Sequence, residues 1–251
     1  MRRPLTALAA LLCAAALTPT TSAGATAPAR QAGCDLPRFG PGAQYHPDID
    51  PADFSARVTN QLFPLRPGVT FVYSGVDSGR PAMDVMAASR HTKRINGVRT
   101  RVVHDQVYIR SVLRERTSDY YAQDRCGNVW YFGEKTAELD KQGNVTTREG
   151  SWRYGRHGGQ PGVFMQAHPQ LDRKFRQEWR PGVAEDVFKA ISLGPPVTVP
   201  YGHFRHALRT RETTALEPAD IGIKAYVRGV GQVVDRSADG GDFLKLVAVL
   251  R

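Results

Sequence analysis

The chain has 251 residues, a formal net charge of +10 at pH 7 and a hydrophobic content of 41%. Its basic residues are scattered rather than clustered, which argues against a nucleic-acid partner, and no transmembrane segment is expected because no apolar run of membrane length follows the amino-terminal one. The positive charge could draw an anionic cell-wall polymer, although keeping an exported protein soluble explains it more simply.

The amino terminus predicts a signal peptide over residues 1–25. Two arginines precede an apolar run from residue 5 to residue 17, and small residues follow through Ala27. A charged, an apolar and a small-residue region in this order are typical of a secretory signal, and the apolar run is too short to span a bilayer. We therefore expect Sec-dependent secretion to the extracellular space.

A Pro- and Gly-rich arm is predicted over residues 26–58, before a single β-rich domain over residues 59–251. Beyond the signal peptide, the cysteines are Cys34 in the arm and Cys126 near mid-chain. Two cysteines in an oxidising compartment usually pair. We therefore predict a structural Cys34–Cys126 disulfide. The loss of loop-closure entropy in the unfolded chain would let this bond stabilise the fold by about 4 kcal/mol.

From residue 69 onward, short β-branched and aromatic runs alternate with Gly, Pro, Asn and Asp, which predicts an all-β, mainly antiparallel fold with few short helices. A meander this long must curl to hide its edges, so we expect one strongly curved sheet that forms a barrel or open half-barrel. The predicted strands are 70–74, 82–95, 98–109, 112–123, 129–139, 145–153, 174–180, 184–193, 197–199, 204–214, 221–228, 231–236 and 243–250.

Two turns are specific enough to predict a strand register. A two-residue turn at 110–111 would pair Ile109 with Val112, Val107 with Arg114, Asp105 with Arg116 and His104 with Thr117. A type I turn at 124–128, with Gly127 in the left-handed conformation, would pair Ala122 with Trp130, Tyr121 with Tyr131 and Tyr120 with Phe132.

These registers sort three strands onto two faces, because alternate residues of a strand point to opposite sides. The apolar face, predicted as the core side, holds Val103, Val107, Ile109, Val112, Tyr120, Ala122, Trp130 and Phe132. The polar face holds His104, Thr117, Asp119, Tyr121, Gln123 and Tyr131. The polar face is either solvated or, on the concave side of a curved sheet, the lining of a ligand cavity.

His104, Asp119 and Tyr121 are the first candidate catalytic residues, since the register places them together on the polar face. A carboxylate that orients an imidazole builds a general base, and a phenol beside it can supply a proton. A surface hydrogen-bond ladder explains the same residues, and nothing in the sequence marks a nucleophile.

Glycosidic-bond cleavage uses two carboxyl groups roughly 5 to 10 Å apart, and the carboxyls that could form such a pair are those of Glu134, Glu178, Glu185 and Asp186. Of these, Glu134 and Glu178 are the further catalytic candidates. Large aromatic side chains lie near these carboxyls in sequence and either stack on sugar rings or pack in the core. The histidines lack the spacing of metal ligands, so we predict no transition-metal site and no cofactor. The candidate ligand-binding residues are Gln123, Tyr131, Trp152, Trp179 and Tyr201.

Several stretches together resemble a family of secreted or lipoprotein-like bacterial proteins that is common in actinobacteria. They include 60–68 (NQLFPLRPG), 119–134 (DYYAQDRCGNVWYFGE) and 199–204 (VPYGHF). The resemblance covers most of the expected mature chain. It implies a single exported domain and carries over no activity or mechanism.

We therefore expect a secreted, monomeric binding protein that holds a small amphipathic molecule or a glycan in a barrel-like cavity. The alternative is an extracellular polysaccharide hydrolase or lyase that uses the His/Asp/Tyr group or the paired carboxylates. A third hypothesis is a surface or inhibitor-type interaction protein, which predicts no deep cavity.

Overall fold

The computed structural model describes residues 35–251. The predicted signal peptide and Cys34 lie outside the described residues, so the Cys34–Cys126 disulfide stays a prediction. Helix within residues 35–251 consists of two 3-10 turns, Gly42–Gln44 and Pro51–Asp53. In this part of the chain no helix has the length and apolar character needed to cross a membrane.

The described residues form eighteen strands, eight of which have both bounds within two residues of the predicted ones. In chain order they are β1 Phe54–Ser55, β2 Thr70–Asp77, β3 Arg80–Ile95, β4 Val98–Ile109, β5 Val112–Asp124, β6 Val129–Leu139, β7 Val145–Thr147, β8 Trp152–Arg153, β9 Gln160–Met165, β10 Lys174–Arg176, β11 Glu178–Trp179, β12 Val187–Leu193, β13 Val197–Val199, β14 Gly202–Phe204, β15 Leu208–Thr213, β16 Ile221–Val227, β17 Gly231–Ser237 and β18 Phe243–Leu250.

Thirteen of these strands form a nearly closed antiparallel barrel, which confirms the predicted fold class. The order around the barrel is β10-β12-β15-β16-β17-β18-β2-β3-β4-β5-β6-β9-β11, and β1, β7 and β8 pair outside this path. The two ends of the order, β10 and β11, are separated in sequence by Gln177 alone. The segment 174–179 therefore pairs with β12 on one side and β9 on the other, and it brings the two edges of the sheet together.

Strand β9 was not predicted, because Pro161 and Gly162 are typical of a turn. In the structure β9 lies between β6 and β11. A Cβ atom on Gly162 would lie 2.3 Å from the carbonyl carbon of Gln177. Gly162 thus permits the close backbone approach at the seam of the barrel.

The turn between β4 and β5 forms as predicted, with Ile109 opposite Val112, but the register changes one residue further along. A β-bulge leaves Arg114 unpaired, so Val107 lies opposite Glu115. The predicted pairings of His104 with Thr117, Asp105 with Arg116 and Val107 with Arg114 are therefore wrong. The observed partners are Ser118 for His104, Thr117 for Asp105 and Gln106 for Arg116.

The turn between β5 and β6 also forms as predicted, and Gly127 has a φ of 86°. The carboxylate of Asp124 accepts hydrogen bonds from the backbone N–H groups of Cys126 and Asn128 and from the indole of Trp130. The pairs Ala122–Trp130 and Tyr121–Tyr131 are confirmed. A second bulge, where Gly133 has a φ of 132°, follows these pairs, so Tyr120 and Phe132 do not form a register pair.

The outer face of β5 and β6 packs against the arm and forms part of the core. Phe54 lies edge-on against Trp130, with ring centroids 5.8 Å apart, and against Phe132 at 5.2 Å. The predicted core side is therefore correct for Tyr120, Ala122, Trp130 and Phe132. The predicted grouping of these four residues with Val103 and Val107 is wrong, because the bulge in β5 places Tyr120 and Ala122 on the opposite face. Val103 is buried in the core, but on the inner side of the sheet, with Asp105 and Val107.

Candidate functional site

A short plug, residues 58–65, packs inside the barrel against inward side chains of the strands. Residues 58–65 enter the barrel as a loop whose ends meet in a bridge between Val58 and Leu65. The side chain of Asn60 donates to the carbonyls of Gly127 (2.8 Å) and Gln166 (3.2 Å) and accepts from the N–H groups at positions 62 and 63. Asn60 therefore fixes both the internal shape of the plug and its position against the sheet.

Aromatic rings form the floor of the space above the plug. Tyr121 and Tyr131 stack with their centroids 4.7 Å apart, and Phe63 from the plug lies 5.3 Å from the ring of Tyr121. Phe164 contacts both Phe63 and Tyr121, with centroids at 4.5 and 4.9 Å. Phe63, which belongs to the stretch 60–68 that resembles the bacterial family, thus forms part of the hydrophobic base of an internal cavity.

The cavity inside the barrel has a volume of about 370 Å³ and acidic walls. Among the described residues that line it, nine carry carboxyl groups and one, Lys224, carries a positive charge. This is more than a third of the 24 Asp and Glu residues of a chain whose net charge is +10. The nine are Asp84, Asp105, Glu115, Asp119, Glu134, Glu178, Asp186, Glu212 and Asp235.

Strand alternation separates the charges of the barrel wall. In β5, Glu115, Thr117 and Asp119 line the cavity, whereas Arg116 and Ser118 belong to the outer surface. The same phase continues in β4, where Asp105 lies inside and His104 outside. Eight of the nine carboxyls therefore collect on the inner face because they occupy inward positions of their strands.

Asp119 and Glu134 form the centre of a hydrogen-bond network. The hydroxyl of Tyr131 lies 2.7 Å from Oδ1 of Asp119 and 3.1 Å from Oε2 of Glu134. The hydroxyl of Thr136 donates to the same oxygen of Glu134 at 3.2 Å, and Thr117 lies 3.0 Å from Thr136. This arrangement connects the two carboxyls through side-chain hydroxyls.

Burial favours the protonated form of these carboxyls. Burial raises the pKa of Glu134 to about 7, although hydrogen bonds from Tyr131 and Thr136 oppose the rise. Burial also raises the pKa of Asp119 well above its usual range, and the nearby carboxylates of Asp105 and Glu134 raise it further. A carboxylic acid that keeps its proton near neutral pH can act as a hydrogen-bond donor or a general acid.

The pair Asp84 and Asp105 lies on the neighbouring strands β3 and β4. Burial raises the pKa of Asp84 well above its usual range, and the charge of Asp105 and a hydrogen bond between the two carboxyls add to the rise. The second oxygen of Asp84, Oδ1, is fully buried and has no hydrogen-bond partner among the described residues. A buried oxygen without a donor adds to the cost of ionising Asp84.

Lys224 shows how the cavity holds a cation. Its ammonium lies 2.7 Å from Oε2 of Glu212 and 3.5 Å from Oδ2 of Asp235. Burial alone would lower the pKa of Lys224, but the charges of Asp235 and Glu212 outweigh burial and raise it well above its usual range. Lys224 is thus a charged ammonium between two carboxylates.

The cavity brings together five of the residues predicted from the sequence. Asp119, Tyr121, Tyr131, Glu134 and Glu178 all line it. A sixth, Trp152, lies behind the lining, where its indole N–H donates to Glu178 Oε2 and its ring packs edge-on against Tyr131 at 5.6 Å. Trp152 therefore orients the lining residues rather than forming the wall.

His104 lies on the opposite side of the sheet from Asp119, so the predicted juxtaposition of these two residues is wrong. The bulge at Arg114 shifts Asp119 and Tyr121 onto the inner face, away from His104. His104 is exposed, and its Nδ1 lies 3.2 Å from the hydroxyl of Ser118. The prediction that Asp105 pairs with Arg116 fails for the same reason.

The remaining candidate ligand-binding residues lie outside the cavity lining. Gln123 tethers the plug, since its side-chain oxygen accepts from the N–H groups of Thr59 and Asn60 at 2.7 and 2.8 Å. The guanidinium of Arg176 lies over the ring of Trp179, 4.2 Å from the centroid of that ring. Trp179 also contacts the arm at Gly42. Tyr201 is 40% exposed in the turn between β13 and β14.

Most acidic lining residues were not among the sequence candidates. The alternation of the strands could have identified some of them. An acid two residues away from a residue that is predicted to point inward lies on the same face, as Glu115 and Thr117 do. The bulges reversed that phase in part of the sheet. The missed lining residues are Asp84, Asp105, Glu115, Glu212, Lys224 and Asp235, whereas Asp186 lies in the lining together with Glu134 and Glu178.

The acidic walls do not form a recognisable metal centre. Within residues 35–251, no group of three or more His, Cys, Asp and Glu side chains is arranged to hold a metal ion. The carboxyls are instead distributed around the barrel: seven strands carry eight of them, and Asp186 directly precedes β12. The arrangement presents many hydrogen-bond acceptors to a ligand of the size of the cavity.

Comparisons with known proteins give distant structural matches. No protein-family model and no curated protein matches the sequence. A solved structure of an exported-protein candidate with a YmcC-like fold from Bacteroides fragilis is 12% identical, with a TM-score of 0.43 over 76% of this chain and 100% of that one. A lipoprotein candidate from Parabacteroides distasonis is 10% identical, with a TM-score of 0.41 over 76% of this chain and 99% of that one. At these scores the likeness supports no inference about this chain, and the resemblance to a family common in actinobacteria stays a prediction.

Proposed function

We propose that this chain is an exported binding protein whose barrel holds a small glycan, preferably one that carries a positively charged amino group. The charged, apolar and small-residue order of residues 1–25 supports export. The observation that carries the ligand class is the cavity of about 370 Å³ with nine carboxyls in its walls and an aromatic floor. Its volume is within the range of about 300–1,000 Å³ that is usual for small-molecule sites.

The chemistry of the walls matches a polyhydroxylated ligand. Carboxyl oxygens accept hydrogen bonds from sugar hydroxyls and from ammonium groups, and the faces of Tyr121 and Phe164 offer apolar surface to a ring. The ammonium of Lys224 between Glu212 and Asp235 is the same interaction made within the protein. An amphipathic ligand fits less well, because an alkyl chain would leave the carboxyls desolvated without hydrogen-bond partners.

Calorimetric titration of the purified mature protein with glucosamine, glucose and N-acetylglucosamine tests this proposal. The three sugars share a ring, and glucosamine alone carries an ammonium at neutral pH. We expect glucosamine to bind about tenfold more tightly than glucose, which corresponds to one charge-assisted hydrogen bond. Asp119→Asn should weaken binding, whereas Glu149→Gln, at an exposed position outside the cavity, should not. Absence of binding by all three sugars would refute the proposal.

A glycoside hydrolase is the second candidate function. The pKa of about 7 for Glu134 suits a general acid, and the carboxyl of Asp119 shares the Tyr131 hydroxyl with it. Glycosidic-bond cleavage uses such a pair. The enzyme would be established if the wild type cleaves chitosan oligosaccharides and Glu134→Gln abolishes this turnover while glucosamine binding persists. Binding without turnover would support the binding protein instead.

A further inference from the structure

A basic recess lies on the outer surface of the barrel, directly behind the acidic wall. It has a volume of about 240 Å³ and lies over β4, β5, β6 and the residue that follows β7. Its polar side chains are those of His104, Gln106, Arg116, Ser118, Lys135 and Arg148. The proposed function uses none of these residues.

The strand register explains why these side chains converge. His104, Ser118 and Lys135 lie opposite one another on three adjacent strands. Gln106 and Arg116 form the next row on the same face. Directly opposite residues have Cβ atoms about 4.5–5.5 Å apart, so both rows are within reach of a single bound group.

Arg148 completes the recess from a separate element. The hairpin between β6 and β7 places Thr147 opposite Glu138, and Arg148 follows Thr147 directly. Arg148 is exposed and lines the recess together with Arg116 and Lys135. Three permanent positive charges therefore border one depression in the surface.

These charges have no counterion within the described residues. None of Arg116, Lys135 and Arg148 takes part in the ion pairs of residues 35–251. The carboxyl-bearing residue at the recess, Asp105, directs its side chain to the inner face, where it pairs with Asp84. Like charges at neighbouring positions of a sheet destabilise it, and a bound anion removes that repulsion.

We propose that this recess binds a phosphate group of an anionic polymer. The guanidinium forks of Arg116 and Arg148 match the paired oxygens of a phosphate, and Lys135 adds a point charge. The hydroxyl of Ser118, 3.2 Å from Nδ1 of His104, is a further hydrogen-bond donor in the row. The recess opens on the exposed face of the sheet, so the chain of a polymer can continue on either side.

The test measures binding of inorganic phosphate and of poly(glycerol phosphate) to the full mature protein by calorimetry at low ionic strength. The test variant is the double substitution Arg116→Gln and Arg148→Gln. The matched control is Arg57→Gln with Arg66→Gln, which removes the same charge from two exposed positions outside the recess. We expect the test variant to lose at least about tenfold in affinity and the control to stay within about twofold, because phosphate contacts are local.

Each outcome decides the proposal. Binding of the polymer, with or without binding of inorganic phosphate and with the expected loss in the test variant, supports the proposal. Binding of inorganic phosphate alone would show that the recess holds a free phosphate and would overturn the proposal of a polymer. Equal losses in the two double variants would show that net charge alone attracts anions and would overturn the proposal. So would the absence of binding by both probes. Glucosamine affinity should be unchanged in the test variant, which separates this site from the internal cavity.

Discussion

Asp119 and Glu134, opposite each other on β5 and β6, share a single phenolic hydroxyl, that of Tyr131, at 2.7 and 3.1 Å. A phenol has one proton and can satisfy only one carboxylate fully. The other carboxyl must keep its own proton or accept a hydrogen bond from a ligand. Burial and the proximity of other carboxylates, which raise the pKa of Asp119, act in the same direction.

The stability of the barrel should depend on the ionisation of Glu134. Its folded pKa of about 7 lies above its ordinary value of 4.5, so the folded state binds this proton more tightly than the unfolded state does. This stabilisation is present below the ordinary pKa and is lost as pH rises towards 7. Glu134→Gln should therefore match the wild type at pH 4.5 and exceed its unfolding free energy at pH 8 by up to about 3 kcal/mol.

Urea unfolding of the wild type, Glu134→Gln and the surface control Glu149→Gln at several pH values measures this effect. We expect the control to follow the wild type throughout. If the curve of Glu134→Gln also stays parallel to that of the wild type from pH 4.5 to pH 8, the assigned pKa direction is wrong.

Lys224 should contribute most to the stability of the fold when the carboxyls of the cavity are ionised. Lys224→Met leaves Glu212 buried without its cation, and breaking a buried ion pair in this way costs about 3–5 kcal/mol. The loss should be larger at pH 8 than at pH 5, because a protonated Glu212 no longer needs a counterion. Thermal unfolding at both pH values tests this, with the exposed Lys141→Met as control. An equal loss at the two pH values would contradict it.

Asn60 should be essential to the plug. Asn60→Ala removes the hydrogen bonds to the carbonyls of Gly127 and Gln166 and leaves polar backbone groups buried without partners. The expected cost is about 2–4 kcal/mol. Because the plug supplies Phe63 to the cavity floor, glucosamine binding should weaken as well. Gln61→Ala, at the exposed neighbouring position, should change neither property, and a similar loss in both variants would refute this role.

The mature protein should contain no free thiol. A Cys34–Cys126 bond closes a long loop and should stabilise the fold by about 4 kcal/mol through loop-closure entropy. A thiol assay under denaturing conditions should give no reaction before reduction, and Cys34→Ser should unfold at lower urea concentration. Two reactive thiols per molecule would show that the bond does not form.

Local patterns predicted much of the sheet. The strands Val98–Ile109, Val129–Leu139 and Phe243–Leu250 have the predicted bounds, because their alternation and their flanking turns lie within a few residues of one another. The pairing of Tyr121 with Tyr131 follows for the same reason, since the turn at 124–128 fixes the register of the residues beside it. Predictions failed where an extra residue entered a strand.

The sequence by itself determined the all-β class, the curved sheet, two hairpin turns and part of the aromatic floor. The tertiary structure alone decided that the inner face is acidic and that His104 lies outside it. One unpaired residue, Arg114, exchanges the two faces of β5, and propensity cannot locate it because the choice depends on packing against β4 and the plug. The carboxyls meet only because strands far apart in sequence, such as those of Asp84 and Asp235, close into one barrel, and no local pattern encodes that distance.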